Sequence, residues 1–292
     1  MKNKKNIFLR KKILIYGLGK SGISSYKFLK KKADVYLFDD NLKINKKILS
    51  SSELSKISFD VIIISPGIDI LKCKLSMFLK KNSQKIYTDL DVLYSFYDNL
   101  IITITGTNGK STTAKILHNA MVDQNKDARL IGNIGNPVLA EKKITKKTIF
   151  VIEASSYQLD YSKIFRSKYS LILNISSDHI ERHKNLKNYV NAKFKLIESQ
   201  AKGNFAYVKK NDSLISKKIK KNKFKSKIYK VDTSNLKNII NKISNKYFAL
   251  DKQNKHKTID VTQKIVGKIL VNPFVVFKKP FAQIPSIIAK KR

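Results

Sequence analysis

The stretch that most limits how this chain can fold is Ile101-Ile-Thr-Ile-Thr105-Gly106-Thr-Asn-Gly109-Lys110-Ser111-Thr112-Thr113. Its β-branched, largely apolar start suits a buried strand. Gly-Thr-Asn-Gly then makes a small-residue turn, and a helical pattern runs on from Ala114. A strand feeding such a turn aims several backbone N–H groups, and the N-terminus of the following helix, at one spot, an arrangement that binds phosphate. In such a loop Lys110 reaches the β- and γ-phosphates of a nucleotide and the Ser111 hydroxyl ligates Mg²⁺. The spacing is not the standard G-x-x-x-x-G-K-[ST], which requires glycine where this chain has Ile104.

A second glycine-rich turn lies upstream. Lys12 to Tyr16 reads as a strand, Gly17-Leu18-Gly19-Lys20-Ser21-Gly22 as a turn, Ile23 to Lys31 as a helix, and Asp34 to Phe38 as a second strand ending at Asp39. An acid about 20 residues beyond the glycines fits a dinucleotide-binding fingerprint. Taken alone, that fingerprint reads by default as a nicotinamide site, and Asp39 as an ordinary strand-end acid. A further strand, Val61 to Ile64, runs into Ser65-Pro66-Gly67-Ile68. A helix is expected over Leu71 to Lys81 and a short strand at Ile86-Tyr87.

Beyond the phosphate loop, strands are expected at Ile149 to Glu153 and Ser170 to Ile175. Helices fit Thr112 to Gln124 and Leu186 to Gln200. This alternation predicts an α/β chain of parallel sheets with helices on both faces. It comprises a Rossmann-like N-terminal domain over residues 1–98 and a P-loop-type ATPase domain over 99–292. Within Gly132-Asn133-Ile-Gly135, two close glycines mark a sharp turn or a close approach to a ligand. From about Lys209 to Lys257 the chain is rich in Lys, Asn and Ser; strands are expected there at Lys227 to Val231 and Tyr247 to Leu250.

The remaining motifs follow strands too. Glu153 stands at a strand's C-terminal end, the crevice where α/β sheets bind ligands. With Ser111 it supplies the oxygen ligands that Mg²⁺ prefers. Downstream come Asn174-Ile-Ser-Ser-Asp178-His179-Ile-Glu-Arg182-His183 and Tyr189-Val-Asn-Ala192-Lys193. Taken alone, His179 reads as a structural histidine and Lys193 as a solvated surface lysine.

Taken together, Thr-Gly-Thr-Asn-Gly-Lys-Ser-Thr, Glu153-Ala-Ser-Ser-Tyr-Gln158-Leu, the Asp178-His179 motif and Lys193 resemble the Mur ligase family, whose members use ATP to join an amino acid to a carboxylate. The first glycine-rich turn and Ser65-Pro-Gly-Ile resemble the D-glutamate-adding branch of that family. The resemblance implies an ATP site at Gly106, Thr107, Asn108, Gly109, Lys110, Ser111 and Thr112. It implies two Mg²⁺ ions held by Ser111, Glu153, His179 and a carbamylated Lys193, with Lys110, His179 and Lys193 catalytic. The first domain is then expected to hold the UDP part of UDP-N-acetylmuramoyl-L-alanine rather than a nicotinamide. The residues concerned are Leu18, Gly19, Lys20, Ser21, Asp39 and Gly67, with Asn133 toward the muramoyl end. D-glutamate is the second substrate implied.

Composition narrows the alternatives. The formal charge of +39 would suit a polyanion-binding protein, yet arginine occurs only at positions 10, 129, 166, 182 and 292, and lysines are spread through the whole chain. Specific nucleic-acid binding, which leans on arginine readout, is therefore not expected. No apolar run approaches the ~20 residues of a membrane span, so no membrane insertion is expected. The apolar segment after the basic start is too short for a signal peptide. A lone Cys73 fits a reducing, cytoplasmic setting. A monomer is expected.

After Lys193 the sequence departs from the family pattern. Neither the Gly-x-His-Asn-x-x-Asn segment nor the third α/β domain is found. His256 is a poor match, and Ile269 to Phe281 matches nothing recognisable. The sequence thus suggests a ligase that recognises the UDP-linked substrate better than it turns it over, with a binding-only remnant as the alternative.

Overall fold

The computed structural model of the chain describes residues 6–41, 48–178 and 180–232. The expected strand at Tyr247 to Leu250, His179, His256 and the tail at 269–281 lie outside them. Two parallel sheets are built in succession. The first takes β1 (Lys12–Tyr16), α1 (Lys20–Leu29), β2 (Asp34–Phe38), α2 (Ser51–Ser55), β3 (Val61–Ile64), α3 (Ser76–Lys81) and β4 (Ile86–Tyr87), with strand order β2-β1-β3-β4. A helix, α4 (Asp89–Phe96), then leads into β5 (Leu100–Thr105), α5 (Lys110–Asp123), β6 (Ala128–Gly132), β7 (Ile149–Glu153), α6 (Ser156–Tyr161) and β8 (Tyr169–Ile172). The second sheet is completed by α7 (Ile180–His183), α8 (Leu186–Glu198), β9 (Phe205–Lys209), α9 (Ser213–Lys221) and β10 (Lys227–Val231), giving the order β10-β9-β8-β5-β7-β6.

The central strands form because their residues are largely β-branched or aromatic and are covered on both faces. On β1, Ile13 and Ile15 join one core while Leu14 and Tyr16 join another. On β5, Ile101 packs to one side, and Ile102 and Ile104 pack to the other beneath Ala114, Leu117 and Met121 of α5. Leu90, Val92 and Leu93 of α4 belong to the same core as Ile13 and Ile63 of the first sheet and Phe150 and Ile152 of the second. Apolar burial therefore runs continuously from one sheet to the other, through α4.

Local chemistry shifts several expected boundaries. α1 begins at Lys20 rather than Ile23, because the Ile23 amide already closes a turn on the Gly19 carbonyl at 2.9 Å. The helix expected from Leu71 starts only at Ser76. Ahead of it the Asp69 carboxylate takes the Leu71 N–H, and the Asp69 carbonyl takes those of Lys72 and Cys73, so the chain turns instead. β8 stops at Ile172, short of the expected Ile175: the Leu173 N–H still reaches the Thr105 carbonyl of β5 at 3.0 Å, but the Ile175 and Ser176 N–H groups turn to the Asp212 carboxylate and Thr107 Oγ1.

Gly22 fixes how closely α1 meets β1. A Cβ there would stand 1.8 Å from the Gly17 carbonyl oxygen, so this position admits glycine alone. Gly22→Ala is expected to cost about 3 kcal/mol or more, read as a lower midpoint in chemical denaturation. An unchanged midpoint would mean that the turn is looser than described.

Candidate active site

The C-terminal ends of β5, β6, β7 and β8 carry the chemistry. β5 pairs with β7, with Ile104 opposite Glu153, and with β8, with Thr105 opposite Ile172. The phosphate loop that leaves β5 at Gly106 is thereby flanked by the loops that follow β7 and β8. α5 starts directly at Lys110, and the first N–H groups of any helix have no partner within it. Ser111 and Thr112 sit exposed on this first turn.

The loop is held by side chains from far along the sequence. Asn174, just past β8, clamps Asn108 on both sides: its Oδ1 accepts the Asn108 N–H at 2.9 Å, and its Nδ2 donates to the Asn108 carbonyl at 3.0 Å. The Thr107 N–H donates to the Asn174 carbonyl, and Thr107 Oγ1 accepts the Ser176 N–H and lies 3.1 Å from the Tyr189 hydroxyl. Lys110 Nζ bonds the Thr107 carbonyl of its own loop at 2.8 Å.

Glu153 is fully buried. Its Oε1 accepts from Asn133 Nδ2 at 3.0 Å, whereas its Oε2 is buried with no hydrogen-bond partner among the described residues. Gly132 makes this close approach possible: it has φ of +109°, and a Cβ there would lie 2.3 Å from the Glu153 carbonyl oxygen. A buried, unpartnered carboxylate oxygen is costly, and a cation at that oxygen removes the cost. The residues present therefore fit a divalent ion. Among the described residues no group of three or more His, Cys, Asp or Glu gathers as a metal cluster.

Lys193, on α8, is 1% exposed, and its Nζ donates to the Gly106 carbonyl at 2.8 Å. Burial pushes its ammonium down to about 7, the nearby Lys110 adding to the drop and Asp178 opposing it. It is therefore no solvated surface lysine but an amine that is substantially neutral near neutrality, against the base of the phosphate loop.

The first sheet contributes the other glycine-rich turn. Asp39 Oδ2 accepts the Leu18 N–H at 2.6 Å and Oδ1 accepts that of Asn41, so this carboxylate shapes the turn from within. Ser65 Oγ donates to the Gly17 carbonyl at 2.6 Å. Lys20 is exposed at the start of α1, Ser21 is half-buried, and Gly67 has open space around its Cα. A chain of contacts joins the two sheets' loops. Arg182 donates to the Ile68 carbonyl and lies 3.9 Å over the Tyr157 ring; Tyr157 stacks on His183, which in turn meets Tyr189.

Asn174, Tyr189 and Arg182 lay within motifs legible in the sequence, but their roles in holding the loops did not. Those roles depend on partners such as Asn108 that are 66 residues distant.

Comparison with known proteins agrees with this arrangement. The model of the Mur ligase middle domain matches residues 104–274, more than half of the chain. A UDP-N-acetylmuramoylalanine–D-glutamate ligase of Rickettsia felis is 35% identical over 213 residues, covering 70% of this chain and 47% of that protein. The ligase of the same name from Caldicellulosiruptor saccharolyticus is 34% identical over 222 residues, covering 70% and 49%. The chain thus spans about half the length of the curated relatives it matches. Among solved structures, the UDP-N-acetylmuramate:L-alanyl-gamma-D-glutamyl-meso-diaminopimelate ligase from Neisseria meningitides superposes with a TM-score of 0.51 at 13% identity, over 75% of this chain and 77% of that one. That similarity concerns the fold alone. With its middle-domain match taking in the phosphate loop, Glu153 and Lys193 together, the chain belongs to the Mur ligase family.

Proposed function

We propose that the chain carries the nucleotide and UDP-substrate sites of an ATP-dependent ligase that joins D-glutamate to UDP-N-acetylmuramoyl-L-alanine in the cytoplasm. The single observation that carries this reading is the buried, unpartnered Glu153 Oε2 beside a phosphate loop whose base is held by a near-neutral Lys193. In this reading residues 1–98 form the UDP-substrate domain and residues 99–292 the ATP-binding domain. The backbone of Leu18 to Ser21, with Gly67, receives the UDP group, while Asp39 holds that turn in shape. Asn133, itself bonded to Glu153, contacts the muramoyl end.

In the proposed reaction the substrate's terminal carboxylate attacks the γ-phosphorus of ATP and ADP leaves. The amine of D-glutamate then attacks the acyl carbon and phosphate departs. The chain's own part is electrostatic. The loop amides of Gly106 to Thr112 and the N-terminus of α5 cradle the phosphates, and Lys110 turns from the Thr107 carbonyl to neutralise charge on the transferred group. Ser111, Glu153, His179 and a carbamylated Lys193 would hold Mg²⁺, which when bound stabilises negative charge on phosphoryl oxygens.

Binding tests this reading directly. ADP with Mg²⁺ and UDP-N-acetylmuramoyl-L-alanine should each raise the melting temperature, the two shifts adding when both are present. Saturation at about a hundredfold over Kd is worth about 2.7 kcal/mol for each ligand. A chain that melts unchanged with both ligands would not have this function.

A further inference from the structure

Arg182, on α7, plays no part in the chemistry above, and it is an arginine in a chain whose positive charge is nearly all lysine. Its Nη2 donates to the Ile68 carbonyl, 114 positions away, and its guanidinium lies 3.9 Å over the Tyr157 ring. Its Nε is buried with no hydrogen-bond partner among the described residues. A buried donor left unbonded costs stability, and a methionine of similar length would fill the space without that cost. What the guanidinium provides is an N–H for one loop and a flat, charged face for an aromatic ring, a pair of contacts that lysine does not match.

Both contacts lead to a glycine-rich loop. Ile68 closes the Ser65-Pro-Gly-Ile turn, its N–H bonded to the Ser65 carbonyl at 3.0 Å. Its side chain rests on the first glycine-rich turn: a Cβ on Gly17 would stand 2.8 Å from Ile68 Cγ1. Ser65 Oγ holds the same turn through the Gly17 carbonyl. From Tyr157 the contacts run the other way. Its ring stacks on His183 at 5.3 Å, His183 meets Tyr189 at 5.3 Å, and the Tyr189 hydroxyl lies 3.1 Å from Thr107 Oγ1 in the phosphate loop. Direct contacts therefore join the two glycine-rich loops, and Arg182 makes the crossing from the second sheet's side to the first.

We infer that Arg182 is a positioning residue. It pins the turn at 65–68, and with it the glycine-rich turn of the first sheet, at a fixed separation from the phosphate loop, so that a ligand lying across both meets them in register. The consequence for substrate rests on the proposed function; the tie itself does not. Arg182→Met keeps the length of the side chain while removing the bond to Ile68, the cation and the unbonded donor. Tyr157→Leu removes the ring beneath the guanidinium and leaves the donor to Ile68 in place, and serves if the first variant folds poorly.

Amide hydrogen exchange reads the tie without any ligand, and calorimetry of ADP and of UDP-N-acetylmuramoyl-L-alanine reads its use. In Arg182→Met, exchange over residues 65–73 should quicken about tenfold, as expected for one lost bond from a charged donor. In Tyr157→Leu the rise should be about threefold, the usual worth of a cation–π contact. Exchange over β1 and β5 should stay unchanged. Affinity of Arg182→Met for the UDP substrate should fall about tenfold while that for ADP holds within about threefold, because Asn174 still clamps the phosphate loop. A merely structural loss would lower both affinities alike. Unchanged exchange at 65–73 in both variants, a rise of equal size throughout the chain, or equal loss of the two affinities would overturn the inference, as would unchanged affinity for a UDP substrate that the parent chain binds. If the unaltered chain binds ADP but not the UDP substrate, the substrate assignment falls and the exchange result alone decides the tie.

Discussion

Lys110→Ala is expected to lower ATP-dependent turnover by about 10²–10³-fold, the usual cost of losing one preorganised electrostatic contact to a transition state. The structure gives the reason for so large an effect. Lys110 is the first residue of α5, and its Nζ rests 2.8 Å from the Thr107 carbonyl of the phosphate loop itself. ATP affinity should fall much less than turnover, because the loop amides and the helix N-terminus are untouched. Asn174 and Tyr189 would still hold the loop in shape. Stopped-assay phosphate release separates the two quantities. Equal turnover in variant and parent would remove Lys110 from the mechanism.

Lys193→Arg is expected to be at least as damaging, about 10²-fold or more by the same electrostatic argument, although it conserves charge. Carbamylation needs a neutral amine attacking CO₂. A buried lysine with its pKa down at about 7 supplies that amine, whereas a guanidinium stays charged. The sign of the pH dependence follows. A lysine with a lowered folded pKa favours folding while it is neutral, above its unfolded pKa, and that contribution is lost as pH falls through about 7. One pH unit below 7, only about a tenth of the amine is neutral. The signal from isotope-labelled bicarbonate bound to Lys193 should therefore grow as pH rises through 7 and be missing from Lys193→Arg. A bound signal that persists in that variant would assign the carbamate elsewhere.

Much of the fold was legible because each motif carries its own local physics. The run Ile101 to Thr105 could only be a buried strand, and Gly-Thr-Asn-Gly-Lys could only turn and start a helix. The first βαβ unit was equally plain from its strands and glycines. The helix α4 was not legible. Its first five residues, two aspartates among them, are buried between two sheets, so no polar face marks it in sequence. Thr88-x-x-Asp91 was the one available sign of its start. β9 and α9 were obscured by lysines; on α9, Lys217, Lys218, Lys220 and Lys221 surround a single buried Ile215.

At the site, residue types were legible and partnerships were not. Glu153 could be named as a strand-end acid, but its bond to Asn133 and its unpartnered Oε2 are properties of packing. The solvated-surface reading of Lys193, natural in a chain with a formal charge of +39, is corrected by burial beneath Gly106 alone. The Asn174 clamp and the Asp89–Gln158 bond join residues 66 and 69 positions apart. No spacing rule foresees such pairs.

Whether the chain is a D-glutamate-adding ligase is decided by phosphate release from ATP in the presence of Mg²⁺ and UDP-N-acetylmuramoyl-L-alanine, measured with and without D-glutamate. Release should require both the UDP-linked substrate and D-glutamate. Release that proceeds equally without either one would rule out this ligase reaction and leave an ATPase with another acceptor.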